Sequence, residues 1–259
     1  MVKGISVIIP NYNGIHLLPL TLPTVLQALK NSNRPSEIIV ADDCSTDVSV
    51  EFVHQNYPEI KIVQNTINSG FSVTANNGVA AAVYDKVLLL NSDVKITPDY
   101  FLHQYKYFDK TDTFGVMGRI IGWEDLTIQD GAKYPSMQGA KIKTVRNYLL
   151  KDETALDNGL YSMYLSDANA FIDKSKFLAI GGFNEMFSPF SSEDYELSLR
   201  AWRLGFKCYY DHSSICRHQT SATISKVKKK KYITTIYNRN KMFLHAIHLS
   251  RGQIILWYF

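Results

Sequence analysis

Polar and acidic side chains follow three short apolar runs in the first hundred residues. Asn11 comes after the run at 5–9, Asp42 and Asp43 come after the run at 38–41, and Asp93 comes after the run at 87–90. If the runs are parallel strands, their carboxyl ends share one edge of a sheet. Carboxylates gathered there repel one another unless a cation or a ligand donor lies among them. A single strand-end aspartate is usually a turn former or a helix cap, but three such places at one edge favour a ligand site.

The glycine spacing excludes two familiar phosphate-binding motifs. The chain has no G-x-G-x-x-G after its first apolar run and no G-x-x-x-x-G-K-[ST] anywhere. Neither a dinucleotide-binding fold nor a P-loop is therefore indicated. A bound phosphate would need another partner for its charge, and a divalent metal held by one or two carboxylates is the usual one.

Strands and helices are predicted to alternate in the first part of the chain. Strands are predicted at 5–9, 38–41, 60–63 and 87–90, and helices at 17–30, after Ser45 or Thr46, and at 72–83. Thr97 and Pro98 predict another helix, because threonine is a good N-cap and proline suits the first helical position. One face of that helix would carry Phe101, Leu102, Tyr105 and Phe108. Such alternation is typical of an α/β fold with a doubly wound, mostly parallel sheet flanked by helices.

The second half of the chain has weaker patterns. Residues 113–165 show no sustained period and are predicted to form loops, short strands and an insertion over the sheet. A strand is expected at 168–172 and a helix at 192–204, which Gly205 would end. A helical stripe near the end of the chain comprises Ile233, Ile236, Tyr237, Phe243, Leu244 and Ile247.

Composition restricts the class of protein. The chain has 259 residues, 46% of them apolar and 20% charged, which is ordinary globular usage and excludes a disordered chain. Its formal charge of +4 is too small to indicate a nucleic-acid partner by itself. The three cysteines, an odd number without a CxxC pair, predict a reducing compartment and no zinc cage. We expect no signal peptide and no membrane-spanning helix, since no apolar run approaches about 18 residues.

Several blocks of the sequence resemble glycosyltransferase family 2, whose members have the GT-A fold. They read SVIIPNYNG at 6–14, DDCSTD at 42–47, NSGF at 68–71, NNG at 76–78, LLNSDV at 89–94, GGFNE at 181–185 and SEDYELSLR at 192–200. One block alone is weak, but the whole set occurs in the family's order and covers most of the chain. The blocks at 68–78 are most similar to a rhamnosyltransferase-like branch.

The resemblance implies a binding site for a nucleotide sugar. Asp43 would accept a hydrogen bond from the N3–H of a pyrimidine base, and Pro10 and Asn11 would line the pocket for the base or ribose. Gly70 would let the backbone approach the nucleotide, because glycine has no Cβ atom. Asn76 would contact the ribose or orient the metal-binding aspartate, and a helix-surface amide without such a role is the alternative.

The resemblance also implies a divalent metal, Mg²⁺ or Mn²⁺, bound to the diphosphate of the donor. Asn91 replaces the first aspartate of the family's DxD motif, so Asp93 is the remaining carboxylate of that motif. One carboxylate is adequate for Mg²⁺, which keeps several waters and often takes phosphate oxygens as further ligands. His218 lies at the position of the family's late metal-ligand histidine. The alternatives are a structural role for His218 and the nearby His212 as the ligand.

By the family's pattern, Asp194 is the general base and Glu193 is a helper or an acceptor-binding group. The predicted helix that begins with this pair has apolar residues on two faces, among them Leu197 and Leu204 on one and Leu199 on the other. A helix of this kind is buried, so its first carboxylates would point into a cleft. The helix N-terminus would keep them ionised there, although a simple complement to the helix dipole is the alternative role.

These roles predict an inverting glycosyltransferase of the hexosyl or rhamnosyl type. An acceptor hydroxyl, deprotonated by Asp194, would attack the anomeric carbon of a UDP- or dTDP-sugar, and the metal-bound diphosphate would leave from the opposite face. The family implies a glycan or lipid-linked acceptor and a role in surface polysaccharide synthesis. Asn91 and Glu196 depart from the family's pattern and leave open a non-catalytic nucleotide-sugar-binding or scaffold domain. A sugar nucleotidyltransferase is disfavoured, because no glycine- and arginine-rich loop follows the first run.

We interpret the chain as one domain, 1–259, because no linker or repeat divides it. Residues 1–110 would form the nucleotide-sugar-binding half, 111–222 the acceptor-binding half, and 223–259 a basic, amphipathic helical segment. Five of the six residues 226–231 are lysines, and the chain ends in six apolar or aromatic residues. One interpretation is peripheral contact with an anionic membrane, at the cytoplasmic face that the resemblance implies. The other is a solvated lysine run beside a packed end.

Overall fold

Ten strands form the main sheet in the computed structural model, which describes residues 2–145, 160–219 and 230–258. They are β1 (Val2–Asn11), β2 (Ser36–Asp42), β3 (Lys61–Gln64), β4 (Tyr84–Leu90), β5 (Val94–Ile96), β6 (Thr113–Gly122), β7 (Ile128–Asp130), β10 (Leu160–Tyr161), β11 (Asn169–Asp173) and β12 (Lys207–His218). Their order is β10-β12-β6-β11-β4-β1-β2-β3, with β5 paired to β12 and β7 paired to β6. A separate hairpin comprises β8 (Tyr134–Gln138) and β9 (Lys141–Val145).

Helices cover the sheet and connect its parallel strands. They are α1 (Leu18–Ser32), α2 (Ser49–Asn56), α3 (Phe71–Ala81), α4 (Lys174–Ala179), α5 (Glu193–Arg203), α6 (Lys230–His248) and α7 (Arg251–Tyr258). Short 3₁₀ helices lie at Tyr105–Asp109 and Glu185–Phe187. The strands and helices predicted for the first ninety residues are confirmed, and so is the α/β class with a mostly parallel sheet.

The centre of the sheet is buried on both faces, which explains the continuous apolar runs of β1 and β4. Val7, Ile8 and Leu88 have no exposed surface in the folded chain. Strands that are covered by helices on both faces lose the alternation of apolar and polar residues. A Cβ atom at Gly78 of α3 would lie 2.4 Å from Cγ2 of Ile8, so the glycine allows this helix to pack closely against β1.

The strand β11 runs antiparallel to its neighbours β4 and β6, whereas β12 runs parallel to β6. The start of β11 therefore lies beside the end of β4, where Asn169 pairs with Leu90. The end of β12 lies at the same edge. Residues that precede β11 and residues that end β12 are thus brought to the edge where β1, β2 and β4 end.

The expectation of loops and an insertion over 113–165 is wrong for its first ten residues. Thr113–Gly122 forms β6, a buried strand in the middle of the sheet. The apolar pattern of β6 is interrupted in the sequence, because two of its positions must be glycine for the strand to pack closely on its neighbours. A Cβ at Gly115 would lie 2.7 Å from the carbonyl oxygen of Phe171, and one at Gly118 would lie 2.5 Å from that of Ser214.

The helix predicted from Thr97 and Pro98 is also wrong, since residues 98–104 form turns and only Tyr105–Asp109 is helical, as a 3₁₀ helix. The aromatic residues of the predicted helix nevertheless pack together. The rings of Phe101, Tyr105 and Phe108 lie 5.2 to 5.5 Å from the ring of Phe171. Leu102 is 58% exposed, so no continuous helical face exists. Packing of large rings around one strand residue overrides the helical pattern here.

The two last helices expose part of their apolar stripe. Ile236 and Leu244 of α6 are buried, whereas Tyr237 and Ile247 are exposed. In α7, Leu256 is 74% exposed, while Trp257 stacks on His245 with ring centroids 5.2 Å apart. Among the helices that the structure describes, none combines the length and the apolar character needed to cross a bilayer. Most of the predicted lysine run, 226–229, lies outside the described residues.

Candidate active site

A cavity of about 500 Å³ opens at the edge where β1, β2, β4 and β12 end. Its walls also come from the residues before α3 and before α5. The lining residues are Pro10, Asn11, Tyr12, Asp43, Asn68, Gly70, Phe71, Thr74, Asn91, Ser92, Asp93, Asp167, Pro189, Phe190, Ser191, Ser192, Glu193, Asp194 and His218. The cavity brings together every site residue that the sequence predicted, with Asn76 as the exception.

Asp43 is held rigidly at this edge. Its Oδ1 accepts hydrogen bonds from the backbone N–H of Ser69 at 2.7 Å and from the side-chain amide of Asn65 at 2.9 Å. Its Oδ2 accepts one from the backbone N–H of Gly70 at 2.8 Å. A carboxylate oxygen can accept two hydrogen bonds, so Oδ2 retains the capacity to accept one from a ligand N–H.

Asp42 and Asn11 form a hydrogen-bonded network at the same edge of the sheet. Asp42 is fully buried, and its carboxylate accepts hydrogen bonds from the amide of Asn11 at 2.8 Å and from the backbone N–H of Ser45 at 2.9 Å. The Asn11 amide also donates to the hydroxyls of Ser45 and Ser49. Ser45 therefore joins β1 to the turn after β2 and does not cap α2, which begins at Ser49.

Position 70 requires glycine for two reasons, its backbone conformation and the close approach of Pro189. Its φ of 87° lies in the left-handed region that side chains disfavour, and a Cβ there would be 2.6 Å from Cα of Pro189. The N–H of Phe71 donates to the carbonyl oxygen of Pro189 at 2.9 Å. The turn that positions Asp43 thus packs directly on the loop that precedes α5.

Asn76 has a different role from the predicted one. Its side-chain oxygen accepts from the N–H of Phe183 at 2.9 Å, and its amide donates to the carbonyl oxygen of Phe183 at 3.0 Å and to Glu185. Asn76 does not line the cavity. The predicted contacts with ribose or Asp93 are therefore replaced by a tie between α3 and the segment before α5.

The register of β5 against β12 brings Asp93 and His218 together. Val94 pairs with His218, and the N–H of Gln219 donates to the carbonyl oxygen of Asp93 at 3.0 Å. As a result, Oδ1 of Asp93 lies 3.5 Å from Nε2 of His218. His212, the alternative ligand, instead contacts Arg119 at 2.8 Å and the hydroxyl of Tyr210 at 2.9 Å.

The Asp93–His218 pair fits a divalent cation that takes most of its ligands from elsewhere. Within the described residues, no group of three or more His, Cys, Asp or Glu side chains converges on a metal position. Mg²⁺ suits such a sparse set, because it keeps waters and takes phosphate oxygens. Imidazole beside a carboxylate is also tolerated by Mn²⁺. The chemistry of the pair therefore matches the predicted metal.

Three further carboxylates, those of Asp167, Glu193 and Asp194, line the other part of the cavity. Glu193 is 2% exposed, and its Oε2 has no hydrogen-bond partner among the described residues. Burial, followed by the charge of Asp194, raises the pKa of Glu193. Burial, followed by the charges of Glu193 and Asp93, raises the pKa of Asp167. This part of the cavity therefore favours protons, cations or hydrogen-bond donors.

The helix N-terminus does not lower the pKa of Asp194, contrary to the expectation that it would favour the ionised form. Burial, followed by the charge of Asp167, raises the pKa of Asp194 well above its ordinary value. The N-terminus of a helix stabilises a carboxylate by only about 0.3–1 kcal/mol, which burial next to a like charge outweighs. The predicted burial of α5 on two faces is wrong for the second face, where Leu199 and Trp202 are only partly buried. Leu204, which follows the last residue of α5, is 59% exposed. The face that carries Glu193, Leu197 and Ala201 is buried.

The sequence placed Asp167 in a block, 167–170, that resembles the acceptor-side block of the family, but it gave no role to Asp167 or to the loop residues 189–192. Asp167 precedes a strand, and such a position faces the ligand edge only because β11 runs antiparallel to β4. Ser191 and Ser192 have φ values of 82° and 73°, which no serine motif predicts. The nearest sequence signal was the SEDYELSLR block, which begins at Ser192, the last residue of this loop.

A mostly parallel α/β sheet with this cavity defines a nucleotide-sugar-binding fold of the GT-A type. The family model of glycosyl transferase family 2 matches residues 6–174, which is more than half of the chain. The chain belongs to glycosyl transferase family 2, as the motif blocks predicted.

Two relatives illustrate the similarity. The undecaprenyl-phosphate 4-deoxy-4-formamido-L-arabinose transferase of Pectobacterium carotovorum is 32% identical over 102 residues, which are 38% of this chain and 31% of that protein. The chondroitin synthase of Escherichia coli is 25% identical over 235 residues, which are 81% of this chain and 33% of that protein. The chain thus spans about a third of the length of each relative.

A solved structure supports the fold at low sequence identity. The crystal structure of GalNAc-T7 with UDP, GalNAc and Mn²⁺ superposes with a TM-score of 0.69 and 17% identity. The match covers 84% of this chain and 44% of that one. The GT-A fold is therefore confirmed independently of the motif blocks.

The buried acid Glu193 predicts a stability that falls as the pH rises. Its pKa is about 8 in the folded chain against an ordinary value of 4.5, so the folded state holds a proton that the unfolded state releases. Stability is then lost between about pH 4.5 and pH 8. Glu193→Gln should make this decline shallower in thermal melts without nucleotide or metal. The exposed Glu124→Gln serves as control, and an equal decline in Glu193→Gln and wild type would contradict the assignment.

Proposed function

We propose that the protein is an inverting glycosyltransferase that moves a sugar from a UDP- or dTDP-sugar to a hydroxyl of its acceptor. The observation that carries this proposal is the composition of one cavity. It holds a rigid carboxylate that can accept from a base, an Asp–His pair that suits a diphosphate-bound cation, and buried acids at the start of α5. Family membership and the GT-A fold support the same reaction class.

Asp43 binds the base of the donor in this proposal. Its Oδ2 accepts a hydrogen bond from N3–H of uracil or thymine, while the backbone keeps the carboxylate in place. Pro10 and Asn11 line the adjacent wall for base or ribose, and Gly70 permits the close approach of the chain. The GalNAc-T7 structure, which has a similar fold, contains UDP, and this supports a nucleotide as the ligand.

Asp93 and His218 would hold Mg²⁺ or Mn²⁺ together with oxygens of the diphosphate. When bound, such a cation supplies Lewis-acid stabilisation of the charge that develops on the leaving diphosphate. The protein's own contribution is to fix the two ligands through the β5–β12 register and to bury Asp93. The Mn²⁺ in the GalNAc-T7 structure supports the choice of cation.

The oxygen of the acceptor hydroxyl attacks the anomeric carbon, and Asp194 takes the proton of that hydroxyl. The bond from that carbon to the diphosphate breaks on the opposite face, so the configuration inverts. A raised pKa makes Asp194 a stronger base once it is ionised. Glu193, with its unpartnered Oε2, binds another acceptor hydroxyl, because a buried polar atom needs a hydrogen-bond partner.

The relatives suggest the class of acceptor. One is named for transfer to undecaprenyl phosphate and another for synthesis of a polysaccharide, chondroitin. A lipid-linked or glycan acceptor in surface polysaccharide synthesis is therefore our proposal, with dTDP-rhamnose among the first donors to test because of the blocks at 68–78.

Residues 1–110 supply the nucleotide side of the cavity and 111–222 the acid side, which supports the division of one domain into donor and acceptor halves.

Replacement of the base tests the reaction directly. Asp194→Asn should retain UDP binding but lower nucleoside diphosphate release by roughly 100-fold or more, as loss of a general base does. The assay measures nucleoside diphosphate release from a panel of UDP- and dTDP-sugars with and without polyprenyl-phosphate and glycan acceptors. Wild-type turnover in Asp194→Asn would make Glu193 the base. No release by the wild-type protein with any donor would favour the non-catalytic binding domain.

The metal ligands are tested by calorimetry of UDP with and without Mn²⁺. Asp93→Ala should abolish the tightening of UDP binding by Mn²⁺, and His218→Ala should weaken it less, because a carboxylate attracts the cation more strongly than imidazole does. His212→Ala is the matched control, since His212 contacts Arg119 and Tyr210 instead. Unchanged Mn²⁺ dependence in Asp93→Ala would remove the metal assignment.

We also infer peripheral contact of the C-terminal helices with an anionic membrane. Ile255 and Leu256 of α7 are exposed, and Lys230 and Lys231 lie exposed at the start of α6. Exposed apolar side chains and nearby lysines are the features by which an amphipathic segment binds a bilayer surface. Such contact would bring the cavity close to a lipid-linked acceptor.

Co-sedimentation with phosphatidylglycerol vesicles at low salt tests this contact. Wild-type protein should bind, and the quadruple change of Lys228, Lys229, Lys230 and Lys231 to Gln should reduce binding, because each basic residue contributes about 1 kcal/mol near an anionic surface. Leu256→Glu should reduce it as well. Phosphatidylcholine vesicles are the control. Absence of binding at low salt, or equal binding by the quadruple variant, would contradict the inference.

A further inference from the structure

The loop 187–192 forms one wall of the cavity and leads directly into the acidic pair. Pro189, Ser191 and Ser192 line the cavity, and Glu193 and Asp194 follow as the first residues of α5. Ser191 and Ser192 both have positive φ values, 82° and 73°. A non-glycine residue in this region is strained and persists only where its surroundings hold it. The contacts that hold this loop therefore determine where the two acids lie.

Helix α6 supplies those contacts through the fully buried side chain of Asn240. The amide nitrogen of Asn240 lies within hydrogen-bond distance of three loop carbonyl oxygens, which share its two N–H groups: those of Phe187 at 2.6 Å, Phe190 at 2.8 Å and Ser191 at 2.8 Å. Its side-chain oxygen accepts from Nε of Arg239 at 2.9 Å. This last contact fixes which end of the amide faces the loop, because arginine can only donate.

Arg239 extends the same support. Its guanidinium donates to the carbonyl oxygen of Ser188, so two adjacent residues of α6 bond four carbonyl oxygens of one loop. Buried carbonyl groups need such partners, and an irregular loop cannot supply them itself. On its other side the loop packs on Gly70 and Phe71. The loop is thus held between the nucleotide side of the cavity and α6.

We propose that Asn240 is a positioning residue for glycosyl transfer. It acts through the carbonyl oxygen of Ser191 and holds the start of α5, so that Asp194 and Glu193 face the acceptor side of the cavity. The proposal rests on the proposed function of these acids. Helix α6 lies outside residues 6–174, so this support belongs to the part of the chain that the family match does not cover.

The test compares Asn240→Ala and Asn240→Asp with two controls in the same helix. Asn240→Ala removes the donor, and Asn240→Asp replaces it with an oxygen that repels the carbonyl groups. Both should lower kcat for nucleoside diphosphate release by at least about 10-fold, because small misplacements of catalytic groups are costly, while UDP affinity changes far less. Leu244→Ala destabilises α6 by removing buried apolar groups, and Asn238→Ala changes an exposed side chain. Both controls should retain kcat.

Amide hydrogen exchange gives a readout that does not depend on activity. The peptide that covers 187–194 should exchange faster in Asn240→Ala than in wild type, at a temperature where Leu244→Ala leaves its exchange unchanged. Equal exchange in Asn240→Ala and wild type would overturn the proposal, whether or not the wild-type protein transfers a sugar. Faster exchange with unchanged kcat, or an equal loss of kcat in Leu244→Ala, would overturn it too. If no donor is turned over by wild type, the proposed function fails, and with it the role in transfer.

Discussion

Five carboxylates line one partly buried cavity, and the mutual repulsion of four of them, Asp93, Asp167, Glu193 and Asp194, is the constraint on which the other features depend. Burial raises the pKa of each of the last three, and neighbouring carboxylates raise it further. The fold keeps them together by fixing their backbone, through a strand register at Asp93 and the start of a helix at Asp194. The same concentration of negative charge makes the cavity a place for a cation and for hydroxyl donors.

The two sides of the cavity use carboxylates in opposite ways. Asp43 accepts three hydrogen bonds from its own chain and is therefore rigid and solvated by the protein. Glu193 keeps a buried oxygen without a partner, which leaves it available to a ligand. In the proposed reaction, a fixed acceptor suits recognition of a base that does not change, whereas an acid without a partner suits the binding of an acceptor hydroxyl. The loop that packs on Gly70 joins the two sides.

Much of the fold was predictable because local patterns and tertiary packing agree there. The apolar runs of β1, β2 and β4 are buried, and Asp43, Asp93 and Asp194 do meet at one cavity. The pattern failed at β6, where close strand contacts require glycines that hide a strand. It failed again at 98–108, where rings packed around Phe171 replace a helix. Asn76 was misassigned because a polar side chain facing a distant loop looks, in sequence, like one facing a ligand.

The sequence by itself determined the family, the α/β class and the chemical types at the site, since these depend on residue identity and short-range periodicity. Only the tertiary structure decided which residues meet. The reversed direction of β11 brings Asp167 to the edge where β4 ends, and the β5–β12 register places His218 rather than His212 beside Asp93. Strand direction, register and the contact of α6 with the loop before α5 are set by packing between segments far apart in the chain. A local residue pattern shows which side chains of a strand face the core, but not which distant strand lies beside it.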